Sequence, residues 1–331
     1  LIGRMSEDID IKVVLNPPAA PLSRKFGERS RLKALHDRII SLFEQLELPL
    51  INKEGRKNPH IRDRHRYCLI GARYTSSYEL HASLRPELQL ELIERRPLMP
   101  FEKRTFGYLY EDLPGILRTT EVSIDCISVS ETAAEKVLSL LRRCAWNWRG
   151  YQEGEMDQAL VRHVYDVARI AESTPVALDA AREIFPALVA KDRAEFERQN
   201  PDFDSNPVLV LEETLVQART HADLQARYED TLIPLIYEAR VPPYSEAFAV
   251  FEDVARSFLA ACGRRRPSIW AAEPGKRASG QGRTELSGAD GPVGCYPLAE
   301  SRCVRFRRRP SRLAAVSAAV RALSTLPSGR E

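Results

Sequence analysis

The chain has 331 residues, of which 44% are hydrophobic, 29% charged and 8% aromatic. These proportions are typical of a soluble globular protein of one to three domains, and they exclude an intrinsically disordered polymer. No apolar run approaches the ~20 residues that a membrane-spanning helix needs, so we predict no membrane partner.

The small net charge of +3 conceals two segments of opposite sign. Residues 1–262 carry 35 basic and 41 acidic side chains, whereas residues 263–331 carry 14 basic and 5 acidic ones. The second segment has no hydrophobic period, apart from an Ala/Leu-rich stretch near 312–324 that predicts a short helix. We therefore predict a disordered, low-complexity basic tail over 263–331. Contact with RNA phosphates and a shifted reading frame are the alternatives that composition leaves open.

The cysteines and the amino-terminal residues bear on localisation. Six cysteines lie far apart without a Cys-x-x-Cys pair, which predicts reduced thiols and a cytoplasmic protein. No charged segment followed by an apolar core begins the chain, so no secretory signal is predicted. Because the first residue is not Met and a strand pattern starts almost at once, we expect an amino-terminal truncation.

Hydrophobic periodicity predicts strands in the first part of the chain and helices in the second. Residues 8–15 alternate as a half-buried strand does, and 31–48 form an amphipathic helix that ends before a proline. Further strands are predicted over 67–74, 88–93 and 122–129. Helices are predicted over 131–149, 156–172, 176–198, 208–229 and 244–261. The pattern predicts an α+β protein with an α/β domain at 1–130 and a helical domain at 131–262.

The first predicted strand carries two acids, Asp8 and Asp10. Residues at i and i+2 of a strand project from the same face with Cα atoms ~7 Å apart. Carboxylates so placed can share Mg²⁺ ions, and two ions ~4 Å apart can activate a hydroxyl and neutralise a leaving pyrophosphate. The alternative is a solvated face of an edge strand, although two acids inside a strand are unfavourable for β structure.

Four blocks of sequence resemble the AbiEii/AbiGii toxin family of nucleotidyltransferases, a branch of the DNA polymerase β-like superfamily. The segment RMSEDIDI at 4–11 matches the family's R-x-SEDIDL metal strand. The other blocks are LRPELQLELIERR at 84–96, ETAAEKVLSLLRR at 131–143 and RHVYDVARI at 162–170. The resemblance covers roughly residues 1–260. It implies a polymerase β-like mixed sheet with flanking helices, followed by an all-helical domain.

The resemblance also implies a metal site that holds two Mg²⁺ ions. Asp8 and Asp10 are expected to bind the metals, and Glu91 is the candidate for the third carboxylate. Glu87 and Glu94 lie close to it in sequence, so the identity of the third ligand rests on the direction in which each side chain leaves its strand.

Four further residues are expected to bind the nucleotide or take part in the reaction. Lys136 matches a family lysine expected to contact phosphates, Asp166 matches an aspartate implicated in activity, and Ser6 and Arg162 are expected in the nucleotide site. A helical wheel places Lys136 opposite the stripe formed by Ala134, Val137, Leu138, Leu141 and Ala145. A solvated lysine is therefore the alternative.

The helix around Asp166 permits a similar alternative. Arg162 and Arg169 stand at i−4 and i+3 from this aspartate, so a surface ion-pair ladder worth ~0.3–0.5 kcal/mol would also explain it. The neighbouring His163 is interpreted as a packing or hydrogen-bonding histidine rather than a metal ligand.

A basic segment at 51–67 contains six Lys or Arg residues and two histidines. A solvated loop is the first interpretation. The alternative is a phosphate-facing surface for a polyanionic acceptor such as tRNA, with Tyr67 available for stacking.

One expected family feature does not occur in this sequence. The Gly-Gly or Gly-Ser turn that cradles the triphosphate stands some ten residues before the family's metal strand, whereas only three residues precede Arg4 here. If the chain starts at Leu1, we expect metal binding at best and little or no transfer.

The resemblance implies a metal-dependent nucleotidyltransferase toxin of a toxin–antitoxin or phage-defence system, with a cognate antitoxin as partner. It would transfer a nucleotide from a nucleoside triphosphate to a tRNA 3′ end or to a protein hydroxyl. The alternatives are an inactive truncated remnant that binds an antitoxin or another partner, and a phosphotransferase of similar shape.

Overall fold

The computed structural model describes residues 3–6, 8–15, 27–51, 59–76, 79, 83–85, 87–107, 111, 116–117, 122–151 and 156–263. The strands are β1 (Asp8–Val13), β2 (His60–Arg62), β3 (Tyr67–Arg73), β4 (Glu87–Glu94), β5 (Glu102–Phe106) and β6 (Val122–Cys126). The helices are α1 (Glu28–Gln45), α2 (Val129–Trp148), α3 (Arg162–Ser173), α4 (Val176–Glu195), α5 (Pro201–Ser205), α6 (Pro207–Ala218), α7 (Ala222–Arg227) and α8 (Tyr244–Cys262). The predicted α+β class is therefore confirmed.

A mixed four-stranded sheet with the order β1-β4-β3-β2 forms the first part of the fold. β1 runs parallel to β4, and the other two pairs are antiparallel. Alternation along the strands separates an apolar face from a polar one. Ile39 and Phe43 of α1 pack with Ile70 and Leu92 of the sheet in one buried cluster, so α1 covers the apolar face. β5 and β6 form a separate antiparallel pair.

Helix α2 is at the centre of the second part, where it packs against α3, α4 and α6. The Ser128 hydroxyl accepts a hydrogen bond from the Glu131 backbone N–H and caps the helix at its amino end. The predicted stripe from Ala134 to Ala145 is buried in the large helical core. The opposite side of α2 carries Lys136, as the helical wheel predicted, and it also carries Arg143.

Several element boundaries differ from the prediction. The strand predicted to extend to residue 129 ends at Cys126, because Ser128 caps the helix that follows. The helix predicted over 208–229 is divided into α6 and α7 at a turn where His221 stacks on Trp148, with 4.3 Å between ring centroids. β2, β5 and α5 were not predicted, because they are short and lack a clear hydrophobic period.

Some predictions about the whole chain are only partly covered by the described residues. No described helix is long and apolar enough to cross a bilayer. Cys68, Cys126, Cys144 and Cys262 are free thiols. The predicted tail, including the short helix near 312–324, lies beyond Gly263 and therefore outside the described residues. The domain boundary at residue 130 remains a prediction.

Candidate active site

Three carboxylates share the polar face of the sheet. Asp8 and Asp10 leave β1 on the side opposite to Ile9 and Ile11, which pack towards α1. In the parallel pairing of β1 with β4, Asp10 is directly opposite Glu91. Paired residues project from the same face of a sheet. The sheet therefore brings together the three acids predicted as metal ligands.

Register also decides between Glu91 and its neighbours in β4. Glu94 has the opposite parity, and it lies 3.7 Å from Arg66. Glu87 has the same parity but is paired with Arg73 of β3, beyond the end of β1. It accepts a hydrogen bond from the Gln89 side chain at 2.5 Å. Glu91 is thus the acid of β4 that lies beside Asp10.

Two arginines approach the Asp8 carboxylate. The Arg85 Nη1 atom lies 3.0 Å from Asp8 Oδ1, and the Arg162 Nη1 atom lies 4.0 Å from Asp8 Oδ2. Arg85 comes from the segment before β4, whereas Arg162 is the first residue of α3. Both parts of the fold therefore contribute positive charge to this acid.

Asp10 and Glu91 lie in a different electrostatic environment. Neither forms an ion pair with any described residue. Burial raises the pKa of Asp10, although the Lys136 charge opposes this shift. Burial and repulsion from the Asp10 carboxylate both raise the pKa of Glu91. Asp10 is exposed and Glu91 half-buried, and two acids that repel each other in this way form a site that a cation would stabilise.

Tyr67 and Arg62 connect Glu91 to the basic segment. The Tyr67 hydroxyl lies 3.5 Å from Glu91 Oε2, and the Arg62 guanidinium covers the tyrosine ring at 4.3 Å. Burial and the negative Glu91 raise the pKa of the tyrosine, so it remains a neutral hydrogen-bond donor at neutral pH. Lys53, Arg56 and Lys57 of the basic segment lie outside the described residues.

Asp166 is the most deeply buried charge of the site. Arg4 donates two hydrogen bonds to its two oxygens, both at 2.7 Å, and Lys136 Nζ donates a third at 2.8 Å. Burial alone would raise the pKa of this carboxyl, but the Lys136 and Arg4 charges outweigh burial and hold the pKa well below its ordinary value. The proposed surface ladder was wrong, because Arg162 points to Asp8 and Arg169 pairs with Glu172 and Glu238.

The pairing of Lys136 shows how α2 and α3 build the site together. Its ammonium is held by Asp166 and also acts on the Asp10 carboxylate through its charge. Its side chain is 21% exposed, so the alternative of a freely solvated lysine is wrong. The charge of Lys136 therefore acts on both Asp166 and Asp10, and one ammonium can hold Asp166 while it attracts a further anion.

The two other predicted residues of this region have different surroundings. Ser6 is exposed in the segment before β1. Burial and the nearby Lys136 charge hold the pKa of His163 well below its ordinary value, so its imidazole is neutral. It is interpreted as a packing histidine with one buried polar atom, Nδ1, that has no hydrogen-bond partner among the described residues.

The carboxylate oxygens of the three acids are suitable ligands for a hard divalent cation. The three side chains do not, however, converge on one point as the ligands of a bound metal do. Among the described residues, no group of three or more His, Cys, Asp or Glu side chains has the arrangement of a metal site. Asp8 is engaged by Arg85, while Asp10 and Glu91 remain side by side. Carboxylate oxygens are the ligands that Mg²⁺ prefers, and the repulsion between Asp10 and Glu91 is what a cation would relieve. On these grounds the residues fit a divalent cation.

Sequence reasoning missed two contributors to this face. Arg85 lay within a quoted block but was given no role, and a single arginine outside any periodic pattern offers no signal of its partner. Arg143 pairs with Asp157 at 3.0 Å and acts on the Glu91 carboxylate through its charge. The position of Arg143 opposite the α2 core stripe was a usable signal, because Lys136 shares that side of the helix.

A family model matches most of the chain. The model of the nucleotidyl transferase AbiEii toxin of type IV toxin–antitoxin systems matches residues 1–250. No curated protein and no solved structure match the chain. The matched range contains the whole sheet, α1 to α7 and every residue of the site. The observed α+β architecture agrees with the polymerase β-like fold of this family.

Proposed function

Since the chain belongs to the AbiEii family of nucleotidyltransferase toxins, we propose that it transfers a nucleotide from a nucleoside triphosphate to an acceptor hydroxyl. The observation that supports this most directly is the convergence of three carboxylates on β1 and β4 with Lys136 on the facing helix. In-line nucleotidyl transfer needs this combination of hard ligands and positive charge.

Asp8, Asp10 and Glu91 would hold the divalent cations, two Mg²⁺ ions in the resemblance that led to this proposal. A bound cation supplies charge neutralisation at the transferring phosphate and at the leaving pyrophosphate. Asp10 and Glu91 are available as they stand, whereas Asp8 faces Arg85. The three acids would therefore all bind cations, whereas the basic residues would bind the negatively charged phosphates.

Lys136 and Arg162 would bind the triphosphate. Lys136 is fixed by Asp166, and Arg162 has an 11% exposed side chain beside Asp8. An ammonium and a guanidinium on two different helices can contact different phosphate groups of one polyphosphate. Ser6, which is exposed before β1, is the remaining nucleotide-site proposal.

Asp166 would act as a positioning residue. Both of its oxygens are occupied by Arg4 and Lys136, and its side chain is fully buried. It would neither bind metal nor exchange a proton with substrate. Its contribution would be to hold Lys136 at a constant distance from the acids, since preorganised charge is the main source of electrostatic catalysis.

The acceptor hydroxyl would belong to a polyanion such as tRNA rather than to a protein. Arg62 stacks on Tyr67, whose hydroxyl lies close to Glu91, so a cationic and aromatic surface leads directly to the acids. Guanidinium and aromatic planes of this kind stack on exposed RNA bases. A toxin–antitoxin family also implies a cognate antitoxin, and we place the reaction in the cytoplasm.

Label transfer tests this function. The full chain is incubated with Mg²⁺, total RNA and each of the four triphosphates, labelled either at the α- or at the γ-phosphate. We expect RNA to acquire the α-label only. Transfer of the γ-label would show a phosphotransferase, and label on protein alone would show a protein acceptor.

Variants of the acids identify the site. Asp8→Asn and Asp10→Asn should reduce α-label transfer at least about a hundredfold, the scale of losing one strong electrostatic contribution. Asp179→Asn, a matched change at an exposed aspartate of α4, should label as the parent does. Equal labelling by the parent and both site variants would disprove the proposal, and an inactive parent would favour the partner-binding remnant.

A further inference from the structure

Arg85 occupies an unusual place over the acid face. Its Nη1 atom donates to Asp8 Oδ1 at 3.0 Å and to Gln89 Oε1 at 2.5 Å. Asp8 and Gln89 are direct partners in the β1–β4 register. One guanidinium nitrogen thus spans the two strands that carry all three acids, at the end where Asp8 lies.

The contact divides the three acids into two groups. Asp8 has Arg85 at one oxygen and Arg162 near the other. Asp10 and Glu91 have no ion pair with a described residue and repel each other. A cation centred on Asp10 and Glu91 would gain its third carboxylate only if Asp8 gave up Arg85. The absence of a three-acid metal arrangement among the described residues agrees with this division.

Arg85 is more exposed to solvent than the other two arginines of the site. Its side chain is 35% exposed, whereas the side chain of Arg162 is 11% exposed and that of Arg4 only 8%. A partly solvated ion pair contributes little stability, so a competing ligand can replace it. The guanidinium binds carboxylates and phosphates with the same planar set of donors.

We propose that Arg85 exchanges Asp8 for a phosphate group of the incoming triphosphate, so that Asp8 becomes a metal ligand only when the nucleotide is present. The inference rests on the proposed function and deepens it by adding a phosphate-binding residue and an order of events. In the absence of nucleotide, Arg85 neutralises Asp8. When the nucleotide is bound, the Arg85 guanidinium pairs with the phosphate instead of Asp8. The Asp8 carboxylate is then free to bind the cation.

This exchange has a signature that a purely structural arginine would not produce. Removal of Arg85 frees Asp8, so the affinity for a divalent cation alone should rise. The same change removes a phosphate ligand, so the affinity for a polyphosphate should fall. A residue that merely stabilised the fold would change both affinities in the same direction or neither of them.

The experiment measures both affinities on the full chain. Mn²⁺ binding is followed by electron paramagnetic resonance without nucleotide, and binding of inorganic tripolyphosphate with Mn²⁺ is followed by calorimetry. We expect Arg85→Ala to bind Mn²⁺ about threefold more tightly and tripolyphosphate about tenfold more weakly. Arg85→Lys, which keeps the charge, should retain most of the tripolyphosphate affinity.

Matched variants separate the possible outcomes. Arg182→Ala removes an arginine with the same 3.0 Å contact to an aspartate, but on the exposed side of α4, and should change neither affinity. If Arg85→Ala does not fold, Arg85→Gln carries the same test. Unchanged affinities, or two losses, in a folded Arg85 variant would refute the exchange.

Asp10→Asn distinguishes failure of this inference from failure of the proposed function. If Asp10→Asn weakens Mn²⁺ binding while Arg85→Ala does not move the two affinities in opposite directions, only the exchange is wrong. If Asp10→Asn leaves Mn²⁺ binding unchanged, the metal site itself is wrong, and the exchange is refuted with it.

Discussion

At the scale of single residues, charge neutralisation explains why this face can hold so many ionised groups. Asp166 is buried with two cations, and Asp8 lies between two arginines. Asp10 and Glu91 remain as a repelling pair. Asp10 and Glu91 therefore repel each other, whereas Asp8 and Asp166 are neutralised by cations. Perturbed charges of this kind are common at functional sites.

Replacement of Asp166 by Asn should be strongly destabilising. The change leaves the Arg4 guanidinium, 8% exposed, without its charged partner. Breaking such a buried pair costs about 3 kcal/mol. We expect this loss in urea unfolding at pH 7, together with reduced label transfer. A variant as stable as the parent would contradict the role of Asp166 as the shared partner of Arg4 and Lys136.

The pH dependence of the Asp166 contribution has a definite sign. Its pKa is held well below the ordinary value by Lys136 and Arg4, against the effect of burial. The unfolded chain therefore takes up the proton first, and the stabilisation present above pH ~4 is lost as the pH falls below it. The difference in unfolding free energy between the parent and Asp166→Asn should shrink over this range and remain constant above it.

Replacement of Glu91 by Gln should stabilise the protein, whereas Asp166→Asn should destabilise it. Burial and repulsion from Asp10 raise the pKa of Glu91, so the ionised form opposes folding at neutral pH and the cost disappears as the pH falls through the folded pKa. We expect a higher melting temperature for Glu91→Gln at pH 7 and Mn²⁺ affinity reduced about tenfold or more.

Glu94→Gln is the matched control for that experiment, because Glu94 belongs to the same strand and has the opposite parity. It should leave Mn²⁺ affinity unchanged. Weaker Mn²⁺ binding by Glu94→Gln than by Glu91→Gln would show that the third ligand had been assigned to the wrong acid.

At the scale of elements, a short antiparallel contact fixes the segment before β1. Met5 N donates to Leu235 O at 2.8 Å, and Tyr237 N donates to Gly3 O at 2.9 Å. Arg4 and Ile236 form the bridge between them. The contact holds the backbone of Arg4 beside the helical part, from where its side chain reaches Asp166. The contact between Arg4 and Asp166 of α3 thus relies on a backbone pairing between segments that are far apart in sequence.

Gly3→Ala should disturb this contact. Gly3 has φ +57°, and an added Cβ would lie 2.1 Å from the Glu238 side chain. The left-handed backbone alone costs an L-residue about 1–2 kcal/mol, and displacement of Glu238 adds to that cost. We expect a loss of about 2 kcal/mol or more in thermal or urea unfolding, with impaired label transfer because Arg4 shifts.

Gly150→Ala provides the control. Gly150 also has a positive φ, +75°, but no atom lies within 4 Å of the position its Cβ would take. Gly150→Ala should lower the free energy of unfolding by the backbone strain only, and it should leave label transfer unchanged. Equal losses in both variants would show that the contact with Glu238 has no energetic consequence.

At the scale of the whole molecule, the sheet and the helices are joined by polar contacts around the site. Lys12 of β1 reaches Glu135 of α2 at 2.5 Å. The buried Glu131 carboxylate accepts hydrogen bonds from the backbone N–H groups of Leu98 and Met99. Arg95, just after β4, lies 3.5 Å from Asp192 of α4. A cation bound to the acids should therefore stabilise both parts together.

Mn²⁺ should raise the melting temperature of the protein in one cooperative transition. At a hundredfold excess over Kd, binding adds about 2.7 kcal/mol to the free energy of unfolding, which raises the melting temperature of a chain of this length by roughly 4–5 °C. Far-ultraviolet circular dichroism and tryptophan fluorescence, with Trp146 and Trp148 in α2, should report the same shift. Two separate transitions, or an equal shift in Asp10→Asn, would contradict this expectation.

The sequence predicted the features that depend on local periodicity. Alternation identified β1 and the shared face of Asp8 and Asp10, and the stripe from Ala134 to Ala145 correctly predicted the buried side of α2. The helical wheel could not predict what would cover the opposite side. For Asp166 it therefore permitted a surface ladder, whereas Arg4 and Lys136 bury the carboxylate completely.

By itself, the sequence determined the α+β class, the family and the side of each element on which the acids and Lys136 stand, because these follow from residue order and spacing. Only the tertiary structure decided that Glu91 faces Asp10, that Asp166 is the buried partner of two cations and that Arg85 holds Asp8. These facts depend on strand register and on contacts between residues as far apart as Arg4 and Asp166. No local pattern encodes such contacts, since packing of the whole chain selects them.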